Sequence, residues 1–337
     1  MLDRRTLVYL ATDPDGSGPW IYGLDVERPA PGRLTSGLET TYTSLAASAD
    51  GMRLVATTAN PRSSLWRVQL PGDNTTIDSP ALIAVNGRTP RIGPGFLVYV
   101  SSLGGGQGLW TLTQGTLREI WHDARTRITG APTISPNGAR IAFTVEDDTH
   151  VRLLAIDKDG SHLAVLNDSL KLQGNPVWSP DSRSIISAVV YDGWPRLTRI
   201  FLNGNPPVAF VGEHSIDPIW SPDGQFLVYS GADVGTTFPV RAAAADGRPH
   251  AIPTLILTRG ARRLAMINNP PALIVLRGEI GHKDLWAVDL QGHGERRLTA
   301  LPPDFSVNDF DISADGSELV LDKVENNSDM ALIERSR

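Results

Sequence analysis

The sequence predicts an all-β protein, a β-propeller of four-stranded antiparallel blades. The first observation behind this is a strand–turn–strand phrase, fullest at Asp217-Pro218-Ile219-Trp220-Ser221-Pro222-Asp223-Gly224-Gln225-Phe226-Leu227-Val228-Tyr229-Ser230. Ile219, Trp220 and Phe226 to Tyr229 are apolar and aromatic residues that suit a pleated surface. The Ser-Pro-Asp-Gly between them is turn chemistry: proline presets φ, aspartate hydrogen-bonds nearby backbone, and glycine accepts φ > 0. The second observation is that the phrase recurs at intervals of roughly 40 to 47 residues, the length of one propeller blade. The third is that no long stretch sustains apolar residues at i, i+3, i+4 and i+7 between helix caps.

Taken in order, the turns are Ser48-Ala49-Asp50-Gly51, a degenerate Gly93-Pro94-Gly95, Ser135-Pro136-Asn137-Gly138 and Ser179-Pro180-Asp181-Ser182, then Ser221 to Gly224, a weak Asn268-Asn269-Pro270-Pro271, and Ser313-Ala314-Asp315-Gly316. An apolar strand follows each turn, as in Leu54 to Thr57, Phe96 to Tyr99, Ile141 to Phe143, Ile185 to Ala188 and Leu319 to Leu321. A third strand comes after a polar loop, for example Leu65 to Val68, Leu109 to Leu112, Leu153 to Ile156 and Leu285 to Val288. Turns such as Asp157 to Gly160 and Asn203 to Pro206 then lead to a fourth, clearest at Arg33-Leu34-Thr35 and Arg297-Leu298-Thr299. Thin four-stranded sheets cannot bury both faces alone, so they stack around an axis. Trp66, Trp110, Trp178, Trp220 and Trp286 are expected in the spaces between blades.

Residues 1–38 read as a unit without its first strand, and the last unit stops without its fourth. Propellers close by joining strands from both chain ends in one blade, which removes exposed sheet edges. The repeat count favours eight blades, with seven the alternative, in one domain over 1–337. Blade starts are expected near 1, 43, 88, 130, 174, 216, 261 and 308. The abrupt start reads as the C-terminal part of a longer polypeptide.

The hydrophobic fraction of 41% supplies a sizeable core, and 32 glycines and 25 prolines call for many turns. A net charge of -6 argues against a nucleic-acid surface, which needs clustered lysine and arginine. The pairs Arg4-Arg5, Arg262-Arg263 and Arg296-Arg297 are isolated and read as solvated. The absence of cysteine excludes disulfides, thiolate metal sites and a cysteine nucleophile. No signal peptide or membrane span is evident in the sequence, which leaves cytoplasm and periplasm both open.

No catalytic set appears. Asp15-Gly16-Ser17-Gly18 has the wrong spacing for a nucleophile elbow, and Gly104 to Gly108 lacks the lysine and the helix of a phosphate loop. The seven histidines, His122, His150, His162, His214, His250, His282 and His293, form no paired ligand motif; Glu279 with His282 is the nearest approach. Glu146-Asp147-Asp148 reads as a polar hairpin tip. No cofactor or metal is expected.

The position before each turn's first strand is the candidate for binding: Ser44, Thr89, Ala131, Asn175, Asp217, Leu264 and Asp309. The innermost strand of a blade lines the channel, so Asn175, Asp217 and Asp309 would form a polar rim, or else tie neighbouring blades together. Arg277-Gly278-Glu279 and Gly235 to Pro239 depart from the plain repeat, as binding loops do. The candidate binding residues are thus Asn175, Asp217, Asp309, Arg277 and Glu279, with a protein partner or small ligand at the channel mouth.

The phrases Asn175-Pro176-Val177-Trp178-Ser179-Pro180-Asp181 and Asp217 to Gly224, followed by Arg-Leu-Thr, resemble the TolB-like group of β-propellers over nearly the whole chain. The resemblance implies binding and protein–protein contact rather than a shared reaction. Sequences of this look form the C-terminal propeller of bacterial regulators, behind a Ser/Thr kinase or winged-helix domain. The resulting expectation is a non-catalytic interaction or ligand-sensing platform in a bacterial regulatory protein. Related repeats in prolyl-oligopeptidase-type peptidases make an accessory peptidase propeller one alternative. A propeller hydrolase using channel-mouth carboxylates is the other.

Overall fold

A computed structural model describes residues 5–11, 19–35, 41–70, 80–103, 106–147, 150–258, 263–268, 270–279, 282–292 and 294–334. The Asp15 to Gly18 loop and His293 lie outside them, as do parts of the Gly104 to Gly108, Glu146 to Asp148 and Asn268 to Pro271 stretches. The described residues form strands and turns without helices. The chain divides into two compact units, one of residues 63–324 and the other of residues 1–62 with 325–337.

The larger unit is a propeller. Its first strands begin at Gly87, Arg127, Leu172, Ile216, Leu264 and Ser306, and each opens an antiparallel sheet; in the first, third, fourth and fifth the strands pair in chain order. In the second blade the first strand is split into Arg127–Ile128 and Thr133–Ile134. The sixth blade is made from both ends of the unit. Ser306–Ile312 and the start of Glu318–Glu334 supply its inner half, and the end of Arg53–Gln69 with Ala81–Val85 its outer half. Leu70 N–H donates to Ser317 O at 2.8 Å across that join.

Six apolar clusters account for the stacking, and each is drawn from two adjacent blades. Phe143 and Ile120 bridge the first and second blades, and Phe210 and Tyr229 the third and fourth. Leu65 and Tyr99 join the sixth to the first, which shuts the circle. The five tryptophans expected between blades all lie in or against these clusters. A fully buried Phe or Leu contributes about 1.5–3 kcal/mol, so the blade interfaces carry most of the unit's stability.

The expected eight blades are therefore corrected to six among the described residues of the larger unit. The reason is local. Ser48 to Gly51 makes the same turn as the blades, with Ser48 Oγ donating to Asp50 Oδ1 at 2.5 Å, but it joins strands of the smaller unit. Residues 6–33 fold there as a three-stranded sheet, Thr6–Ala11, Trp20–Asp25 and Arg28–Arg33, with Tyr9 stacked on Tyr22. Arg53–Gln69 and Glu318–Glu334 are long strands that begin in one unit and end in the other. A turn motif specifies a hairpin and says nothing of which sheet receives it.

The turns share one geometry. Ser135, Ser179, Ser221 and Ser313 each donate to the Asn or Asp two residues on, at 2.5–2.7 Å. The same hydroxyl accepts the backbone N–H five residues on, at 2.9–3.1 Å. The Asp315 carboxyl is pushed down to about 2 by the Ser313 hydroxyl and the N–H and hydroxyl of Ser317.

Candidate functional site

The first strand of a blade has one edge free of its own sheet, and in this ring that edge faces the axis. Thr89-Pro90, Ala131-Pro132, Asn175-Pro176 and Asp217-Pro218 occupy the same place in four of these strands. Proline has no N–H to donate and is tolerated on an edge strand. Each of these strands breaks register there, between Arg88 and Arg91, between Gln173 and Val177, and between Ile216 and Ile219, or splits outright in the second blade. Thr89 (φ 50°) and Asp217 (φ 54°) sit in the left-handed region, as does Gly174 (φ 70°). Such bulges turn one backbone N–H out of the ladder and toward the axis.

Those N–H groups tie blade to blade. Ala131 N–H donates to Asn175 Oδ1 at 2.7 Å, and Asn175 N–H and Nδ2 both donate to Asp217 Oδ1, at 3.1 and 3.0 Å. Thr89 N–H donates to Asp322 Oδ2 at 3.2 Å. Asn175 and Asp217 thus act as ties between the second, third and fourth blades.

On the other side of the ring the belt is ionic. Arg91 grips Asp309 with both terminal nitrogens, Nη1 to Oδ1 at 2.8 Å and Nη2 to Oδ2 at 3.2 Å. Both side chains are buried, at 7% and 10% exposure. Arg263 donates from Nη2 to Asp311 Oδ1 at 2.6 Å and from Nε to Phe310 O at 2.9 Å, and Ile92 N–H donates to Asp311 Oδ2 at 2.8 Å. Burial works against the charge on Arg91, but Asp309, Asp311 and Asp322 outweigh it and hold its pKa above the usual value. Burial and then the neighbouring Arg91 push Arg263 below it.

Beside Asp309, directly across the sheet register, is Asp322. Its Oδ2 accepts from Thr89 N–H and Asn308 Nδ2, and its Oδ1 is buried without a partner among the described residues. Burial, opposed by the Asn308 hydrogen bond and reinforced by the Asp309 charge, pushes this carboxyl up to about 6, with Arg88 the nearby counter-charge. An unfolded aspartate titrates near 4, so the folded protein holds the proton more tightly between about pH 4 and 6. Stability from this group is complete below about pH 4 and falls by roughly 3 kcal/mol as pH rises through 6. Asp322→Asn removes that dependence: the variant is expected to match or trail the parent at pH 4.5 and exceed it at pH 8. Urea unfolding at the two pH values measures this, and a pH-independent difference would refute it.

Above the ionic belt the channel opens on the side of the Ser-Pro-Asp-Gly turns as a funnel of about 540 Å³, lined from all six blades. Its walls carry Trp178, Trp220, Met266 and a set of prolines; its charged lining is Arg91, Arg263 and Asp311, with the exposed Asp223 on the Ser221 to Gly224 turn. Trp178 Nε1 donates to Thr133 O at 3.2 Å.

The chain from 97 to 310 matches the TolB beta propeller domain, well over half of the 337 residues. The protein belongs to the TolB β-propeller family. Among solved structures, TolB from Acinetobacter baumannii is similar at 14% identity and a TM-score of 0.55, over 95% of this chain and 80% of that one. The putative TolB from Agrobacterium tumefaciens is similar at 18% identity and a TM-score of 0.50, over 88% and 94%. At such identities the likeness is one of fold. No match is found among curated proteins.

In this TolB-type ring the residues expected at the rim have mixed positions. Asn175, Asp217 and Asp309 are on the axis, within the ties described above. Leu264 is core, 1% exposed, and Ser44 pairs with Thr57 in the smaller unit. Arg277 and Glu279 stand at the far end of Pro271–Glu279 and do not line the funnel. Arg277 pairs with Glu295 at 3.0 Å, and Glu279 is exposed opposite His282. Arg263, read from sequence as solvated, is instead 15% exposed and paired with Asp311. The repeated turn phrase does not point to Arg91, Asp311 or Asp322. Strand alternation could have found Arg91 and Asp311, two residues beyond Thr89 and Asp309 and so on the same face. Among the described residues no three His, Asp or Glu side chains are grouped as metal ligands, and no helix is long and apolar enough to cross a membrane.

Proposed function

We propose that the propeller is a non-catalytic binding platform, taking a partner segment or small ligand into the funnel on the turn side, within a bacterial regulatory protein. The observation that carries this reading is the funnel itself, open to solvent, walled by tryptophan and proline from separate blades and floored by charges already locked in place. Aromatic and apolar walls with few fixed polar groups are the usual make-up of a recognition site. The hydrolase alternative needs free carboxylates at Asp217 and Asp309. Asp309 is instead held at both oxygens by Arg91, and Asp217 accepts two hydrogen bonds from Asn175.

The cysteine-free sequence provides a clean test. Pro222→Cys places a single thiol on an exposed residue lining the funnel, which a bulky maleimide can block. N-acetylated random hexapeptides are expected to bind the unlabelled variant and to lose at least tenfold in affinity after labelling. Binding indifferent to the label, or no binding by any peptide, would overturn the proposal.

A further inference from the structure

At the funnel's floor the lining has donors to spare and the side-chain acceptors are taken, while the exposed Asp223 on the turn accepts at Oδ1 from Ser221 Oγ and Gln225 N–H. Both oxygens of Asp309 accept from Arg91, and those of Asp311 accept from Arg263 and Ile92 N–H. Asn175 Oδ1 accepts from Ala131 N–H. Against this, Arg263 uses only Nε and Nη2, and its Nη1 has no partner among the described residues. Trp220 Nε1, in the same wall, also donates to nothing among them. Arg263 is further a guanidinium buried close to a second guanidinium, Arg91. The like charge disfavours it, and an incoming anion would relieve that cost.

We infer that the funnel selects an occupant bearing a carboxylate, which Arg263 receives through Nη1. The inference rests on the binding reading above and makes it more specific. A guanidinium offers parallel N–H groups that match the two oxygens of a carboxylate, and a charge-assisted hydrogen bond is about twice as strong as a neutral one. At the floor an amine-bearing occupant would meet no free acceptor among Asp309, Asp311 and Asn175 and would add a third cation beside Arg91 and Arg263; the remaining carboxylate of the lining, Asp223, stands on the exposed turn. The carboxylate can come from a chain terminus or from an Asp or Glu side chain.

The test is made on the ligand, so the full chain is used unaltered. N-acetylated hexapeptides are prepared in three sets: free C-terminal acids with neutral side chains, C-terminal amides containing Asp or Glu, and amides with Asn or Gln in their place. Affinities are read by tryptophan fluorescence at fixed salt. The first or second set is expected to bind about ten- to a hundredfold more tightly than the third, and whichever does so identifies the source of the carboxylate. Arg263→Gln, checked for folding by circular dichroism, is expected to erase the difference between sets while leaving the weak binding of the third. Peptides that are displaced by the label at position 222 yet bind equally in all three sets would overturn this inference and leave the platform standing. No binding in any set would remove both.

Discussion

Arg91→Met is expected to cost the propeller about 3–5 kcal/mol, the penalty for stripping one partner from a buried ion pair. The pair is 7% and 10% exposed and joins residues 218 apart in sequence, so it spans the seam where the first blade meets the sixth. Without Arg91, Asp309 keeps only the 3.8 Å approach of Arg263 Nε and still lies opposite Asp322. Two neighbouring carboxylates in a poorly hydrated site repel. Removing both members of the pair tells a different story. Arg91→Met with Asp309→Leu is expected to recover most of the loss, since buried pairs replaced together by apolar groups are often neutral or better. Urea denaturation of the two single variants and the double gives the coupling energy. A single-variant cost under about 1 kcal/mol would mean the pair is solvated in solution and the seam is held by the Leu65–Tyr99 cluster and the Thr89–Asp322 and Ile92–Asp311 hydrogen bonds.

Gly174→Ala should destabilise the ring by about 2–4 kcal/mol, although it adds one methyl group. Gly174 has φ 70°, where a side chain costs on the order of 1 kcal/mol. The added Cβ would also stand 2.6 Å from Ile216 Cγ1 and 2.8 Å from Asp217 Oδ1, closer than atoms tolerate. Relief requires the third and fourth blades to part or Asp217 to swing away, and the latter breaks both of its bonds to Asn175. Gly193→Ala is the matched control, with φ 81° but no atom within 4 Å of the added carbon. Equal losses at the two positions would show that backbone strain alone is at work and that the bulge is not packed against its neighbour.

Both variants act on side chains that bridge blades, and those bridges are where sequence and structure part company. Thr89, Asn175, Asp217 and Asp309 could be picked out because they share a phase with the turns. Their partners could not all be. Asn175 admits two readings from sequence, rim or tie, and in the structure it bonds to both neighbouring blades, through Ala131 N–H and Asp217 Oδ1. Arg263 carries no periodic signal: it belongs to the weakest repeat and reads like any surface arginine until Asp311 is seen beside it. Arg277 and Glu279 break the repeat pattern, and a hairpin end away from the funnel breaks it as well as a binding loop does.

The amino-acid sequence alone determined the strands, the turns and the all-β class. Each of those depends on contacts within a few residues, such as Ser221 with Asp223 and Phe226 N–H. Tertiary structure decided that six sheets close the ring, that Ser48 to Gly51 serves another unit, and that Arg91 meets Asp309 across 218 residues. The physical reason is range. A hydroxyl and a carboxylate two positions apart find each other in any hairpin, whereas the closing of a circle depends on sheet twist and on which strands from the two ends pair, and neither is written in any single repeat.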